Sequence, residues 1–138
     1  MAHRGLRSCC PRAILHLLRG NSPMRKIERE MNAAIRENRD WKSGNTQVIY
    51  SPVRDASYVM LYGNHIATIL DTSIEIYDGG HKTVTTKSRL NAILSEFGIK
   101  GECVFQRNFN WFVHKFIGQA GTSPVYNEYE FENGFVFA

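Results

Sequence analysis

The chain has 138 residues, 43% of them hydrophobic and 22% charged, the proportions of one globular domain with a modest core. Its formal charge is +4, but Arg4, Arg7, Arg12 and Arg19 meet no acid within the first 23 residues and supply the whole excess. The rest of the chain is neutral, which argues against a protein that tracks a nucleic-acid backbone over a broad basic face. Three cysteines, Cys9, Cys10 and Cys103, make neither a disulfide framework nor a zinc spacing and point to a reducing compartment.

Residues 1–23 differ in composition from the remainder of the chain. Their apolar run, Ala13-Ile14-Leu15 resuming at Leu17-Leu18 after His16, is too short and interrupted for a membrane span and makes a poor secretory segment. A well-formed pattern opens at Met24. We read 1–23 as a basic extension, either upstream of the natural start or without fixed structure, and 24–138 as a single domain.

The first helix is expected over residues 23–40, with Ser22 as N-cap and Pro23 at its first position. Ile27, Met31, Ala34 and Ile35 form one apolar stripe at helical spacing, and Glu28, Glu30, Glu37 and the interspersed arginines read as a solvated face. The period then changes to two. Strands are expected near 46–52, 58–62, 65–70 and 74–77, with Gly63-Asn64 turning a hairpin, and another over His81–Thr85. The second helix is marked by Leu90, Ile93, Leu94 and Phe97, with Thr85 or Thr86 as its cap and Gly98 just past its end. Strands near 101–106 and 109–116 come next, turning at Arg107-Asn108, with Trp111 and Val113 on one face and Phe112 on the other. Gly118, Gly121 and Pro124 read as a loop. Val125–Glu132 and Phe135–Phe137, joined by Asn133-Gly134, read as a terminal hairpin. The sum is an α+β fold: a single antiparallel sheet, a meander plus C-terminal hairpins, with two amphipathic helices packed on it.

Chemistry concentrates at residues 83–89. Thr83, Thr85, Thr86, Lys87, Ser88 and Arg89 place hydroxyls, two cations and free backbone N–H groups at the start of the second helix, where an anion can be received. A phosphate, or a carboxylate from the protein itself, would offset the unfavourable placement of Lys87 and Arg89 near the positive end of the helix dipole. Capping and strand formation account for the same threonines without a ligand. No phosphate-loop spacing accompanies them. Trp111, with Arg107 and Lys115 nearby, offers base stacking or a partner contact; core packing is the plainer account of the tryptophan. His65 and His81 have no neighbouring nucleophile, and no metal, cofactor or catalytic constellation stands out, so the pattern leans away from an enzyme.

Five segments carry a resemblance: Trp41-Lys42-Ser43-Gly44-Asn45-Thr46-Gln47-Val48, Gly63-Asn64-His65-Ile66-Ala67, Thr83 through Leu94, Val104-Phe105-Gln106 and Trp111-Phe112-Val113. From Trp41 to Phe112 the chain resembles a group of small proteins of tailed bacteriophages. The resemblance implies a phage origin, a start near Met24 and action in the host bacterial cytoplasm, and no specific chemistry. The expectation is a small phage accessory protein that binds and inhibits a host factor, such as a defence component. The alternatives are a binder of a phosphorylated ligand (a nucleotide signal or single-stranded nucleic acid) acting through 83–89, and a minor virion component.

Overall fold

A computed structural model describes residues 24–137; the extension 1–23, with the expected Ser22 cap and Pro23, lies outside them. Helix α1, Lys26–Arg36, starts later than expected, with Arg25 as its N-cap and no side chain capping it. It ends where Asn38 takes a left-handed φ of 54° and Arg39 N–H returns to the Ala34 carbonyl at 3.1 Å, a C-terminal motif that satisfies the last carbonyls. Glu28 in the first turn and Arg36 in the last both suit the helix dipole.

Strands β1 (Trp41–Ser43), β2 (Thr46–Ser51), β3 (Ala56–Leu61), β4 (Asn64–Ile69) and β5 (Ile74–Ile76) form a meander. Leu61 pairs with Asn64, so the tight turn is Tyr62-Gly63, one residue earlier than the sequence suggests. Val48, Val59, Ala67 and Ile76 fall in one cross-strand row and are all completely buried. The alternation puts these residues on one face, and the core then holds the register.

Helix α2 spans Val84–Phe97. The strand expected over His81–Thr85 is absent: Thr83 adopts extended geometry as N-cap, and its Oγ1 accepts a hydrogen bond from Thr86 N–H at 3.1 Å. The capping bond outweighs the β-preference of the threonine run, and Thr83 takes the role expected of Thr85 or Thr86. Leu90, Ile93 and Leu94 are buried as expected, and Phe97 packs against the same core. Gly98 is extended, not left-handed (φ −89°, ψ −177°). A Cβ there would come within 2.7 Å of the Leu94 carbonyl oxygen, so close backbone approach is what calls for glycine.

The antiparallel strands divide between two sheets. The larger runs β1-β2-β3-β4-β5-β9, with β9 at Phe135–Phe137; the smaller runs β6-β7-β8, at Cys103–Arg107, Asn110–Ala120 and Ser123–Glu130. The α+β class holds, and the single sheet becomes two. The expected terminal hairpin does not form, because Asn133-Gly134 carries the chain from one sheet to the other. Gly134 N–H donates to the Ile76 carbonyl at 2.8 Å, and Ile74 pairs with Phe137, which is completely buried. Gly118 and Pro124 are not loop residues: Gly118 sits at a register shift in β7, and Pro124 pairs with Gln119, a proline an edge strand tolerates.

Both sheets and both helices contribute to one hydrophobic core, which includes Met31, Val48, Ile66, Leu90, Val104, Val113 and Trp111. Two side chains tie the smaller sheet in place. Asn91 of α2 donates to the Val104 carbonyl at 2.9 Å and accepts from Val104 N–H at 2.7 Å, acting as a substitute strand on the outer edge of β6. Glu102, 1% exposed, accepts from Ile99 N–H at 3.0 Å and Phe116 N–H at 3.1 Å, beside the register shift in β7.

Candidate functional site

With α2 beginning at Val84, Thr85 and Thr86 occupy the first turn, Lys87 closes it, and Arg89 lies in the second turn. The dipole penalty inferred from sequence is correspondingly smaller. Arg89 is 3% exposed and Glu28, expected on a solvated face, is also 3% exposed. Arg89 Nη1 donates to Glu28 Oε2 at 2.8 Å, Nε to Thr46 Oγ1 at 2.9 Å, and Nη2 to Asn45 Oδ1 at 3.3 Å. Ser88 Oγ donates to the same Glu28 oxygen at 2.5 Å. A carboxylate of the chain itself thus receives one of the two cations and one hydroxyl of the 83–89 cluster. Thr83 and Thr86 bond each other at 2.9 Å. Lys87 is partly exposed and reaches Gln106 Oε1 at 3.3 Å; Thr85 is partly exposed. Glu28 is the residue that sequence reasoning misses, and its partner lies 61 positions away.

The Trp111, Arg107 and Lys115 group does not assemble. Cross-strand partners share a sheet face; Trp111 pairs with Gln106, while Arg107 pairs with Asn110, so Trp111 and Arg107 point to opposite faces. Trp111 is 3% exposed, edge-on to Phe131 at 5.3 Å between centroids. Lys115 lies farther along, opposite Asn127. Trp111 and Val113 share the inner face and Phe112 points outward, as the alternation indicates.

That outward face carries the densest partly exposed aromatic surface on the smaller sheet. Phe105 and Phe112 stand opposite each other and stack at 5.8 Å, and the Arg107 guanidinium lies 5.2 and 5.1 Å from their ring centres. Arg107 Nη1 also donates to Glu128 Oε2 at 2.6 Å, and this bond holds the Glu128 carboxyl below its ordinary pKa. His114 stacks on Tyr126 at 4.6 Å, and Phe116 meets the same tyrosine edge-on. Phe105, Phe112, His114, Phe116 and Tyr126 are each partly exposed. At the β6–β7 turn, Asn108 and Phe109 both have positive φ, 52° and 68°, and Phe109 is 92% exposed.

Other polar clusters have structural partners. His65 Nε2 lies 2.7 Å from Thr68 Oγ1, with its ring against Tyr77 at 4.5 Å. Burial alone would raise the Asp78 carboxyl, but hydrogen bonds from Gly80 N–H at 2.8 Å and Lys82 Nζ at 3.0 Å outweigh it and hold the pKa below its ordinary value. An open cleft of about 340 Å³ lies between two turns, lined by Lys42, Gly44, Asn45, Gln47, Tyr62 and Gly63; among the described residues Lys42 is the only ionisable side chain lining it apart from the Tyr62 phenol. Among the described residues no group of three or more His, Cys, Asp or Glu is placed to hold a metal ion. No helix among them is long and apolar enough to cross a membrane.

Comparison with curated proteins and with solved structures gives no match. Residues 24–138 match the model of a phage family, described as Kyanoviridae Gp96 protein. The match extends past both ends of the Trp41–Phe112 stretch that carries the resemblance, and places the chain among phage proteins as that resemblance implies. The chain belongs to the Kyanoviridae Gp96 protein family.

Proposed function

We propose that this small phage protein is a non-enzymatic accessory protein that binds and inhibits a host factor through the outer aromatic face of β6–β8. The observation that carries the reading is Phe109. A bulky side chain at positive φ is disfavoured by about 1–2 kcal/mol relative to ordinary backbone, and a phenylalanine 92% exposed to water contributes nothing to the core. Turn chemistry favours glycine or asparagine at such a position. An exposed aromatic at the turn between two strands that carry half-exposed aromatics has the composition of a protein-binding surface. The phosphorylated-ligand reading is less well supported, because Glu28 already engages Arg89 and Ser88, leaving chiefly Lys87 and Thr85 to meet an anion.

Affinity capture from host-cell lysate tests the proposal. The wild-type chain should recover one dominant host protein; Phe109→Gly and Phe112→Ala should lose it while remaining folded. Equal recovery by wild type and both variants would remove this face from consideration.

A further inference from the structure

The two edges of the smaller sheet are unlike. The outer edge of β6 is engaged by the Asn91 side chain. Beyond β8 no strand is paired among the described residues, and Ser123, Pro124 and residues 127–130 are exposed. A bare eight-residue edge invites strand addition.

The side chains of β8 discriminate among occupants. Antiparallel pairing of β8 with a second copy centred on Tyr129 sets Glu128 against Glu130, and like charges directly opposite are destabilising. Pro124 removes a backbone donor from the other half. Both features oppose self-association, whereas a segment carrying cations meets complementary charge. The receiving chemistry is already displayed within the chain. Arg107 lies over Phe105 and Phe112 while its guanidinium pairs with Glu128. Glu130, two residues on, stands directly opposite Phe112 on the same face, is exposed, and forms no ion pair with another described residue. A guanidinium flat against an aromatic ring and forked onto a carboxylate is a favoured arrangement.

We infer that the free edge of β8 receives an extended, basic segment of the partner by strand addition, with an arginine or lysine of that segment reaching Glu130 beside the Phe112 ring. The inference rests on the binding function proposed above and specifies the partner's chemistry.

A random linear peptide library selected against the full chain provides the test. Enriched peptides should carry arginine or lysine at alternating positions, and their binding should protect amide hydrogens of residues 123–130 from exchange. Glu130→Lys should weaken them by about tenfold or more, with Glu130→Gln intermediate. Absence of enrichment, enrichment without a cationic bias, protection elsewhere, or unchanged binding to Glu130→Lys would each overturn the inference. Host-factor capture separates this failure from that of the broader reading. A host protein lost with Phe109→Gly but retained by Glu130→Lys leaves the binding function standing and removes strand addition; one retained by Phe109→Gly and Phe112→Ala removes the aromatic face and, with it, the site proposed beside Phe112.

Discussion

Replacing Arg89 with methionine removes a guanidinium that is hydrogen-bonded to Glu28, Thr46 and Asn45, while keeping much of its apolar volume. The Arg89 and Glu28 side chains are each 4% exposed, so the variant leaves a buried carboxylate with only the Ser88 hydroxyl as hydrogen-bond partner among the described residues. Breaking a buried pair from one side costs about 3–5 kcal/mol, against about 5–15 kcal/mol for the stability of a whole domain. With a urea slope of about 1–3 kcal/mol per molar, the midpoint should fall by roughly 2 M. Replacing Glu28 with methionine as well removes the stranded charge, and the double variant should regain most of the loss, since well-packed apolar substitutes for a buried pair are often neutral. The four proteins form a cycle read by urea denaturation followed by circular dichroism. A loss below about 1 kcal/mol for Arg89→Met, the range of an exposed ion pair, would refute the reasoning. It would also return residues 83–89 to candidacy as a ligand site.

Phe109→Gly should raise stability by about 0.5–1 kcal/mol, the relief of positive-φ strain less the extra unfolded-state freedom of glycine. A calorimetric Tm higher by roughly 2–5 °C is the expected reading, and a lower Tm would show that the ring supports the fold. Asn91→Leu leaves the Val104 N–H and carbonyl without their side-chain partner and should cost about 2–3 kcal/mol; accelerated amide exchange at Val104 should accompany the loss, and slow exchange there would contradict the role given to Asn91. Asp78 has a carboxyl pKa held below its ordinary value, so the stability it contributes is complete above the unfolded value near 4 and is lost as pH falls through the folded one. Asp78→Asn should therefore flatten the decline of Tm between about pH 5 and pH 2; an unchanged acid limb would exclude Asp78 as its source.

Local pattern reveals what local forces decide. The i, i+3, i+4, i+7 spacing of Leu90, Ile93, Leu94 and Phe97 identifies α2 and its buried face, because a helix with one apolar stripe has one way to lie against a core. The alternation of Trp111, Phe112 and Val113 separates inner from outer face for the same reason. The segment before α2 is ambiguous because threonine serves strands and caps alike, and only the Thr83–Thr86 bond chooses between them. Glu28 is indistinguishable from its charged neighbours in sequence: its burial depends on Arg89 arriving from another helix, which no periodicity within α1 encodes. Phe135 and Phe137 resemble half of a hairpin, yet their rings gain more from burial against the larger sheet than from pairing with the exposed β8.

The side chain of Asn91 also limits assembly. By taking both backbone hydrogen-bonding groups of Val104 with an amide that cannot extend into another strand, it interrupts the β6 edge, while the β8 edge stays open. A strand added at β8 therefore has no matching site at β6 through which the next copy can continue, so growth along this sheet stops after one partner. Repeated head-to-tail stacking into filaments, the usual hazard of an exposed edge, is blocked at this sheet by a single carboxamide.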